Sequence, residues 1–264
     1  MKKITFPRVL LFAFLLILVL TFVSCNGLIN ESISSNTEEN SPTEQQLWLP
    51  YTMLDHLENC KYTYYYDEYG NEIKTTKEDL NGNLKATWFC EYDDDQNLIK
   101  RSVDTGNGTL FVQLIMSYDD KGNLTEKREF STGGETVYTY QYDEQNRLAS
   151  ESSNGTVVNT YTYETDGSYK VQNVNSVDEY SLYRADGKIK ERHRTSKVKW
   201  VYSYNSDGVL VECDKYSEED ITQKTVYHLD ENGNTVKVTQ MSDMGKETLL
   251  SEYEYKQYTV KAED

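Results

Sequence analysis

The chain has 264 residues, with 44 acidic residues against 27 lysines and arginines, and its net charge is −17 at pH 7. This excess of negative charge disfavours nucleic acids and anionic membrane surfaces as partners, because their phosphates repel an acidic protein. One basic run, residues 188–199 (KIKERHRTSKVK), could attract such a surface locally. Its charges alternate along the chain, which is typical of the solvent-facing side of two strands.

The N-terminal residues 1–24 predict a secretory signal peptide. Three basic residues among the first eight precede an apolar run from Val9 to Val23, which is shorter than the about 20 residues that a membrane-spanning helix needs. Residues 22–25 (FVSC) resemble the lipobox of bacterial lipoproteins, and this resemblance implies that Cys25 becomes the lipidated N-terminus. We therefore expect an extracytoplasmic protein, anchored through this lipid to a bacterial membrane at the cell surface or in the periplasm. A plain cleaved signal and a retained helix are the alternatives.

Two short segments separate the signal peptide from the rest of the chain. Residues 25–46 are rich in Ser, Asn, Thr and Glu and show no hydrophobic periodicity, so we predict a disordered tether that follows the lipidated cysteine. Residues 47–59 contain several large apolar side chains and are predicted to form a strand or a short helical piece that caps the first repeat. Residues 60–264 form the predicted repeat domain.

A seven-residue phrase, Tyr-Asp-x-x-Gly-Asn-Leu in its fullest form, recurs through the repeat domain. Its starts lie 20 to 26 residues apart, a spacing that is typical of repeat architectures. The eight copies begin at Tyr66, Tyr92, Tyr118, Tyr142, Tyr163, Tyr183, Tyr204 and Leu229. The repetition therefore predicts one structural unit used eight times.

Each phrase predicts a β-hairpin. Before it, tyrosines or other apolar residues alternate with polar or β-branched residues, as in Tyr62, Tyr64 and Tyr66, and this period of two indicates a half-buried strand. Within it, the aspartate can accept a hydrogen bond from the backbone two residues on, and the glycine supplies the positive φ of a compact turn. Gln96 replaces the glycine of the second copy, so we expect Asn97 to take the positive φ there.

We interpret the phrase residues as structural. They are Tyr66, Asp67, Gly70, Tyr92, Asp93, Tyr118, Asp119, Gly122, Tyr142, Asp143, Tyr163, Gly167, Tyr183, Gly187, Tyr204, Gly208 and Gly233. Two strands per unit give an all-β fold, an antiparallel β-hairpin meander of about sixteen strands. An aromatic face of that width cannot stay flat in water, so the sheet should curl into a spiral, a trough or a partly closed barrel with its tyrosines inward. Their hydroxyls predict a polar, wet interior.

The phrase resembles the YD repeat of the RHS and wall-associated repeat proteins, and the resemblance covers residues 60 to about 258. It implies β-hairpins that spiral into a shell, and a repeat region that is not itself catalytic. The large members of that family enclose a C-terminal toxin or contribute to wall-associated or surface structures. For this chain we expect the scaffold without the toxin, because little sequence follows the last unit.

The sequence shows no recognisable catalytic or metal-binding motif. His56, His193 and His228 have no metal-ligand spacing and are interpreted as surface residues. The acidic runs at residues 93–95 and 119–120 match no calcium loop and are interpreted as turn residues. We therefore expect no cofactor, no metal and no enzymatic activity, although a pair of glycosidase carboxylates could lie among 44 acidic residues.

Four tyrosines lie off the periodic positions or in turns and are the candidate ligand contacts: Tyr65, Tyr69, Tyr180 and Tyr216. The sequence favours a surface or envelope lipoprotein whose repeat scaffold binds or positions macromolecules, with a protein or a polysaccharide as the partner. One alternative is a carbohydrate-binding module, or, as a lesser form of it, a hydrolase of envelope glycan. Another is a remnant or accessory of an RHS-type toxin system.

Overall fold

A computed structural model describes residues 44–261, which form eighteen β-strands. The strands are β1 (Glu44–Asp55), β2 (Cys60–Tyr66), β3 (Glu72–Asp79), β4 (Leu84–Tyr92), β5 (Leu98–Asp104), β6 (Leu110–Tyr118), β7 (Leu124–Ser131), β8 (Gly134–Tyr142), β9 (Leu148–Ser153), β10 (Thr156–Tyr163), β11 (Tyr169–Asn173), β12 (Tyr180–Tyr183), β13 (Ile189–Thr195), β14 (Val198–Tyr204), β15 (Leu210–Ser217), β16 (Asp220–Leu229), β17 (Thr235–Ser242) and β18 (Glu247–Lys261). The predicted signal peptide, Cys25 and residues 26–43 of the predicted tether lie outside the described residues.

The strands form one antiparallel sheet in which each strand pairs with the next along the chain. The last strand, β18, also pairs with β1 over a register that runs from Glu44↔Lys261 to Asp55↔Ser251. This pairing closes the sheet into a barrel. The all-β hairpin meander is therefore confirmed, and its predicted curling is completed as a closed barrel.

The strand count follows from the repeat. The eight phrases make the turns between β2 and β3, β4 and β5, and so on to β16 and β17, which accounts for the sixteen predicted strands. The segment predicted as a cap belongs largely to β1, which begins at Glu44 and so also includes the last three residues of the predicted tether. Rather than covering an open end, β1 lies between β2 and β18 and joins the two ends of the sheet.

Successive side chains along a strand alternate between half-buried and exposed, which distinguishes the inner from the outer side of the barrel wall. In β8, Tyr138, Tyr140 and Tyr142 are half-buried, whereas Thr139 and Gln141 between them are exposed. The same alternation continues in the last strand, where Tyr253 and Tyr255 are half-buried between the exposed Glu252, Glu254 and Lys256. The tyrosine side is the inner wall, because the inside of a closed barrel is the less accessible side.

The inner wall encloses a space rather than a filled core. Within residues 44–261, strand backbones approach one another only between neighbours in the sheet, although side chains can reach one strand further, as Tyr62 of β2 does to Trp88 of β4. Few side chains are fully buried, and half of these are polar. The main apolar cluster comprises Ala86, Trp88 and Val103, with Tyr62 packed against it. Barrels of 16 to 18 strands usually leave an aqueous lumen, so strand number and burial agree with the predicted wet interior.

Most phrase hairpins contain a β-bulge. In the third copy, Tyr118 pairs with Leu124 and Ser117 pairs with Glu126, so Thr125 is an extra residue in β7. The same shift occurs in every copy except the one that begins at Tyr163. A bulge increases the local twist of the strand, which helps a wide sheet to coil.

The expectation for the second turn was wrong: Gln96, not Asn97, adopts the positive φ, at 64°. The N–H of Gln96 closes the turn by donating to the carbonyl of Asp93 at 3.1 Å, which fixes the left-handed conformation at this position. Asn97 is held by Asp93 through its backbone N–H (2.8 Å) and its Nδ2 (3.1 Å). The hydrogen bonds of the turn therefore outweigh the tendency of Gln to avoid a positive φ.

Candidate functional site

The aspartate of the phrase organises the turn. Asp119 Oδ1 accepts hydrogen bonds from the N–H groups of Lys121 and Asn123, both at 2.9 Å, and its Oδ2 accepts one from Asn123 Nδ2 at 2.9 Å. The side-chain and backbone hydrogen bonds from Asn123 hold the pKa of Asp119 below its usual value. The same arrangement recurs at Asp67, Asp93 and Asp230.

Replacement of Asp119 by alanine should lower the Tm of the barrel, because three donors lose their acceptor. The lowered pKa means that this stabilisation is complete above the unfolded-state pKa and is lost as the pH falls through the folded-state pKa. The difference in Tm between wild type and Asp119→Ala should therefore be largest at neutral pH and vanish in acid. Thermal unfolding across pH 2–7 measures it.

Asp120→Ala is the matched control, because Asp120 makes no side-chain hydrogen bond or ion pair within the described part of the chain. Its Tm should equal that of the wild type at every pH. A similar loss of Tm in both variants would show that the turn geometry contributes nothing specific.

The tyrosine of the phrase ties each hairpin to the one before it. Its hydroxyl donates to the backbone carbonyl at the seventh position of the preceding phrase. The bonds are Tyr92 to Glu72 (3.0 Å), Tyr118 to Leu98 (2.9 Å), Tyr142 to Leu124 (3.0 Å), Tyr163 to Leu148 (2.9 Å) and Tyr204 to Ile189 (2.8 Å). Burial raises the pKa of Tyr204 to about 12, so its hydroxyl remains a neutral donor.

One phrase tyrosine departs from this ladder. The ring of Tyr183 stacks on that of Tyr169, with centroids 4.6 Å apart and planes 3° from parallel. Tyr163 also contacts Tyr169, at 5.2 Å. The departure falls beside the two shortest strands, β11 and β12, where the repeat itself is shortest.

The four candidate ligand tyrosines are not brought together. Tyr65 and Tyr69 are 41% and 37% exposed. Each has a lysine over its ring, Lys74 at 4.7 Å and Lys261 at 5.4 Å respectively. A lysine ammonium group therefore already lies over each of these two rings.

Tyr180 and Tyr216 share one cross-strand row on the outer wall, separated by His193 and Lys199. His193 stacks on Tyr180 at 4.2 Å, and Lys170 also lies over that ring at 4.2 Å from the centroid. Lys199 lies over Tyr216 at 5.4 Å. Little of the Tyr180 ring face is therefore available for a ligand.

A different group of residues forms a cleft on the inner wall of β13–β16. Its volume is about 540 Å³. We call it the Trp200 cleft, and its polar and aromatic lining consists of Arg194, Thr195, Trp200, Lys215, Ser217 and Thr222. No acidic side chain lines it. Sequence reasoning singled out the basic run that contains Arg194 but assigned it to the solvent face, and it missed Trp200 and Lys215.

A second cleft, of about 610 Å³, adjoins the first along β14, because Trp200 and Tyr202 are successive inward positions of that strand. The rings of Tyr169, Tyr183, Tyr202 and Tyr204 line it. The irregular tyrosine stack therefore faces this cleft.

Ionisable groups are also buried on the inner wall of β3–β5. Burial raises the pKa of Glu72, which accepts a hydrogen bond from Thr75 Oγ1. Burial likewise raises the pKa of the Cys90 thiol to about 11, so this thiol is a poor nucleophile at neutral pH. Arg101 Nε is buried without a hydrogen-bond partner among residues 44–261.

The described residues hold neither a metal-binding cluster nor a membrane-spanning helix. No three His, Cys, Asp or Glu side chains in this part of the chain lie close enough to hold a metal ion. It also contains no helix of the length and hydropathy that crossing a membrane requires.

Comparison with known families matches residues 118–158 to the model described as RHS Repeat. These residues therefore resemble an RHS repeat. They contain the hairpins that begin at Tyr118 and Tyr142, so the resemblance to the YD and RHS repeats is confirmed in this segment. No curated protein matched the chain.

Three solved structures illustrate the similarities found. A porin-like protein from Bacteroides uniformis is 14% identical, with 81% of this chain and 98% of that chain covered and a TM-score of 0.41. The TcdB2–TccC3–Cdc42 crystal structure is 15% identical, with 73% and 10% covered and a TM-score of 0.30. The Photorhabdus luminescens Tc holotoxin pore is 14% identical, with 74% and 9% covered and a TM-score of 0.30. The chain spans about a tenth of the length of these Tc toxin chains.

Proposed function

We propose that this β-repeat scaffold is a non-enzymatic, lipid-anchored protein that binds or positions macromolecules outside the cytoplasm. The observation that supports the proposal is that the repeated phrase residues are engaged in building the fold. Their carboxylates are occupied by the turns and their tyrosine hydroxyls by neighbouring carbonyls, so the repeated groups build the wall and leave binding to residues that depart from the repeat.

The position of β1 is compatible with an anchor at one end of the barrel. All eight phrase turns lie on one rim, which we call the phrase rim, because they connect alternate strand pairs of the meander. β1 is antiparallel to β2, which ends at a phrase turn, so Glu44 lies at the phrase rim. A lipid on Cys25 would therefore be attached to this rim through residues 26–43, and the opposite rim, which we call the far rim, would be distant from the attachment point.

Lipidation can be tested by growing the expression host with an alkyne-bearing fatty acid and detecting the label on the chain. We expect the label on wild type and its loss in Cys25→Ser, which should also move from the membrane fraction to the supernatant. Cys90→Ser, in which a thiol on a described strand is removed, should keep both the label and the membrane fraction. Label on Cys25→Ser, or none on wild type, would contradict the lipid anchor.

A carbohydrate-binding module is the second candidate. The Trp200 cleft favours it, because an indole ring there lies beside cationic and hydroxyl side chains on a wall of the lumen.

A further inference from the structure

We propose that the Trp200 cleft binds a segment of polysaccharide whose sugars carry carboxylates, as in a polyuronate. This inference deepens the scaffold role proposed above, on which it rests, because it names the class of macromolecule that is held. The site lies on the inner wall near the far rim, where the turns between β13 and β14 and between β15 and β16 are located.

The first argument is the charge of the cleft. Arg194 and Lys215 have no carboxylate within 4.0 Å among residues 44–261, and neither does Arg192, which pairs directly with Trp200 across the strands. On the outer side of the same strands, lysines are neutralised, as in Lys224 with Glu212 at 2.8 Å. In a chain of net charge −17, three unpaired cations around one ring are complementary to an anion.

The second argument is the ring and the hydroxyl groups. Trp200 is half-buried, and Lys215 Nζ lies 5.6 Å from its ring centroid. The indole N–H has no hydrogen-bond partner within the described residues, so it is free to donate. Thr195, Ser217 and Thr222 line the same cleft. The Thr222 hydroxyl donates to the Lys215 carbonyl at 3.3 Å and the Thr195 hydroxyl accepts from the N–H groups of Lys197 and Val198, so the Ser217 hydroxyl is the one of the three without a partner among residues 44–261. A sugar packs its C–H face on an aromatic ring and exchanges hydrogen bonds with such groups, whereas a simple anion uses only the cations.

The third argument is the local irregularity that builds the cleft. Register shifts interrupt the pairing of β13 with β14 between His193 and Thr195, and that of β15 with β16 between Lys215 and Tyr216. The extra residues at these two bulges are Arg194 and Thr222, and both line the cleft. Bulges commonly re-aim a side chain next to a functional site.

The test uses the full chain, purified in detergent, and its binding to polygalacturonate measured by isothermal titration calorimetry. We expect saturable binding that weakens with added salt, and no binding of neutral dextran. The double variant Arg194→Gln/Lys215→Gln should bind at least about tenfold more weakly, since charged hydrogen bonds are lost. Trp200→Leu should also bind more weakly, although it removes no charge.

The matched control is Lys237→Gln/Lys246→Gln. It removes the same charge at two lysines that lie outside the cleft and have no carboxylate within 4.0 Å in the described part of the chain. It should bind within about twofold of wild type. Circular dichroism and Tm identify any variant that fails to fold. If the double variant fails to fold, the affinity of Trp200→Leu is compared with that of the control variant instead.

Three outcomes would overturn the proposal. One is equal loss of affinity in the cleft and control variants, which would indicate a diffuse charge effect. Another is equal binding of dextran and polygalacturonate. The third is equal binding of polyglutamate, which carries carboxylates without sugar rings and would reduce the site to an anion patch. Because purified protein is used, binding without lipid on Cys25 would contradict the anchor alone, and lipid without binding would contradict this inference alone.

Discussion

Replacing Met53 by proline should open the barrel at its closing strand. Met53 pairs with Tyr253 of β18 on one side and with Tyr62 of β2 on the other. A proline there removes one backbone donor from a ladder and forces its neighbours apart, so we expect a loss of roughly 3 kcal/mol. For a domain of this size the Tm should fall by on the order of 10 °C. Thermal unfolding followed by circular dichroism measures it.

The same variant should self-associate, because an opened sheet presents two unpaired edges. Light scattering after size-exclusion chromatography detects this. The control is Glu231→Pro, at the second position of the phrase turn that Gly233 closes on Asp230. Proline is favoured at that position of a tight turn, so this variant should stay monomeric with an unchanged Tm. A monomeric Met53→Pro with wild-type Tm would show that the pairing of β1 with β18 is not needed for the fold.

Replacing Trp88 by alanine should cause the largest loss of stability among single side-chain truncations. Trp88 is 8% exposed and packs in the apolar cluster with Ala86 and Val103. Tyr62 stacks on it at a centroid distance of 6.3 Å. Truncation of a buried tryptophan typically costs about 3–5 kcal/mol. The free energy of unfolding from urea titration measures the effect.

Trp48 provides a matched control, because it is the same residue type on a strand but is 44% exposed. Trp48→Ala should therefore cost no more than about 1 kcal/mol. Equal losses for the two variants would contradict the view that the inner wall of β2–β5 holds the main apolar cluster.

Much of the hairpin structure could be predicted because its causes are local. The alternation at Tyr138, Thr139 and Tyr140 defines a strand and its two faces without reference to the rest of the chain. The aspartate and glycine of the phrase define the turn that follows. The exception at Gln96 shows the limit of residue preferences, since the hydrogen bond to Asp93 decides which residue takes the positive φ.

The candidate ligand contacts stay a prediction, and the surroundings of these tyrosines could not be read from the sequence. Tyr180 and Tyr216 were selected because they interrupt the periodic pattern, but the sheet covers their rings with Lys170, His193 and Lys199. A period of two cannot reveal a cross-strand neighbour. The one available signal for the Trp200 cleft was the basic run that ends just before Trp200, and alternation alone did not tell which cations would lack a partner.

The sequence by itself determined the repeat, the eight hairpins and the aromatic inner wall, because these depend on residues within about ten positions of one another. Only the tertiary structure decided that the sheet closes, because Glu44 must meet Lys261 from the other end of the described chain. It also decided the Trp200 cleft, since Arg194 and Thr222 reach the same wall only after two bulges shift the strand register. Those shifts depend on the pairing of three neighbouring hairpins, which no single repeat encodes.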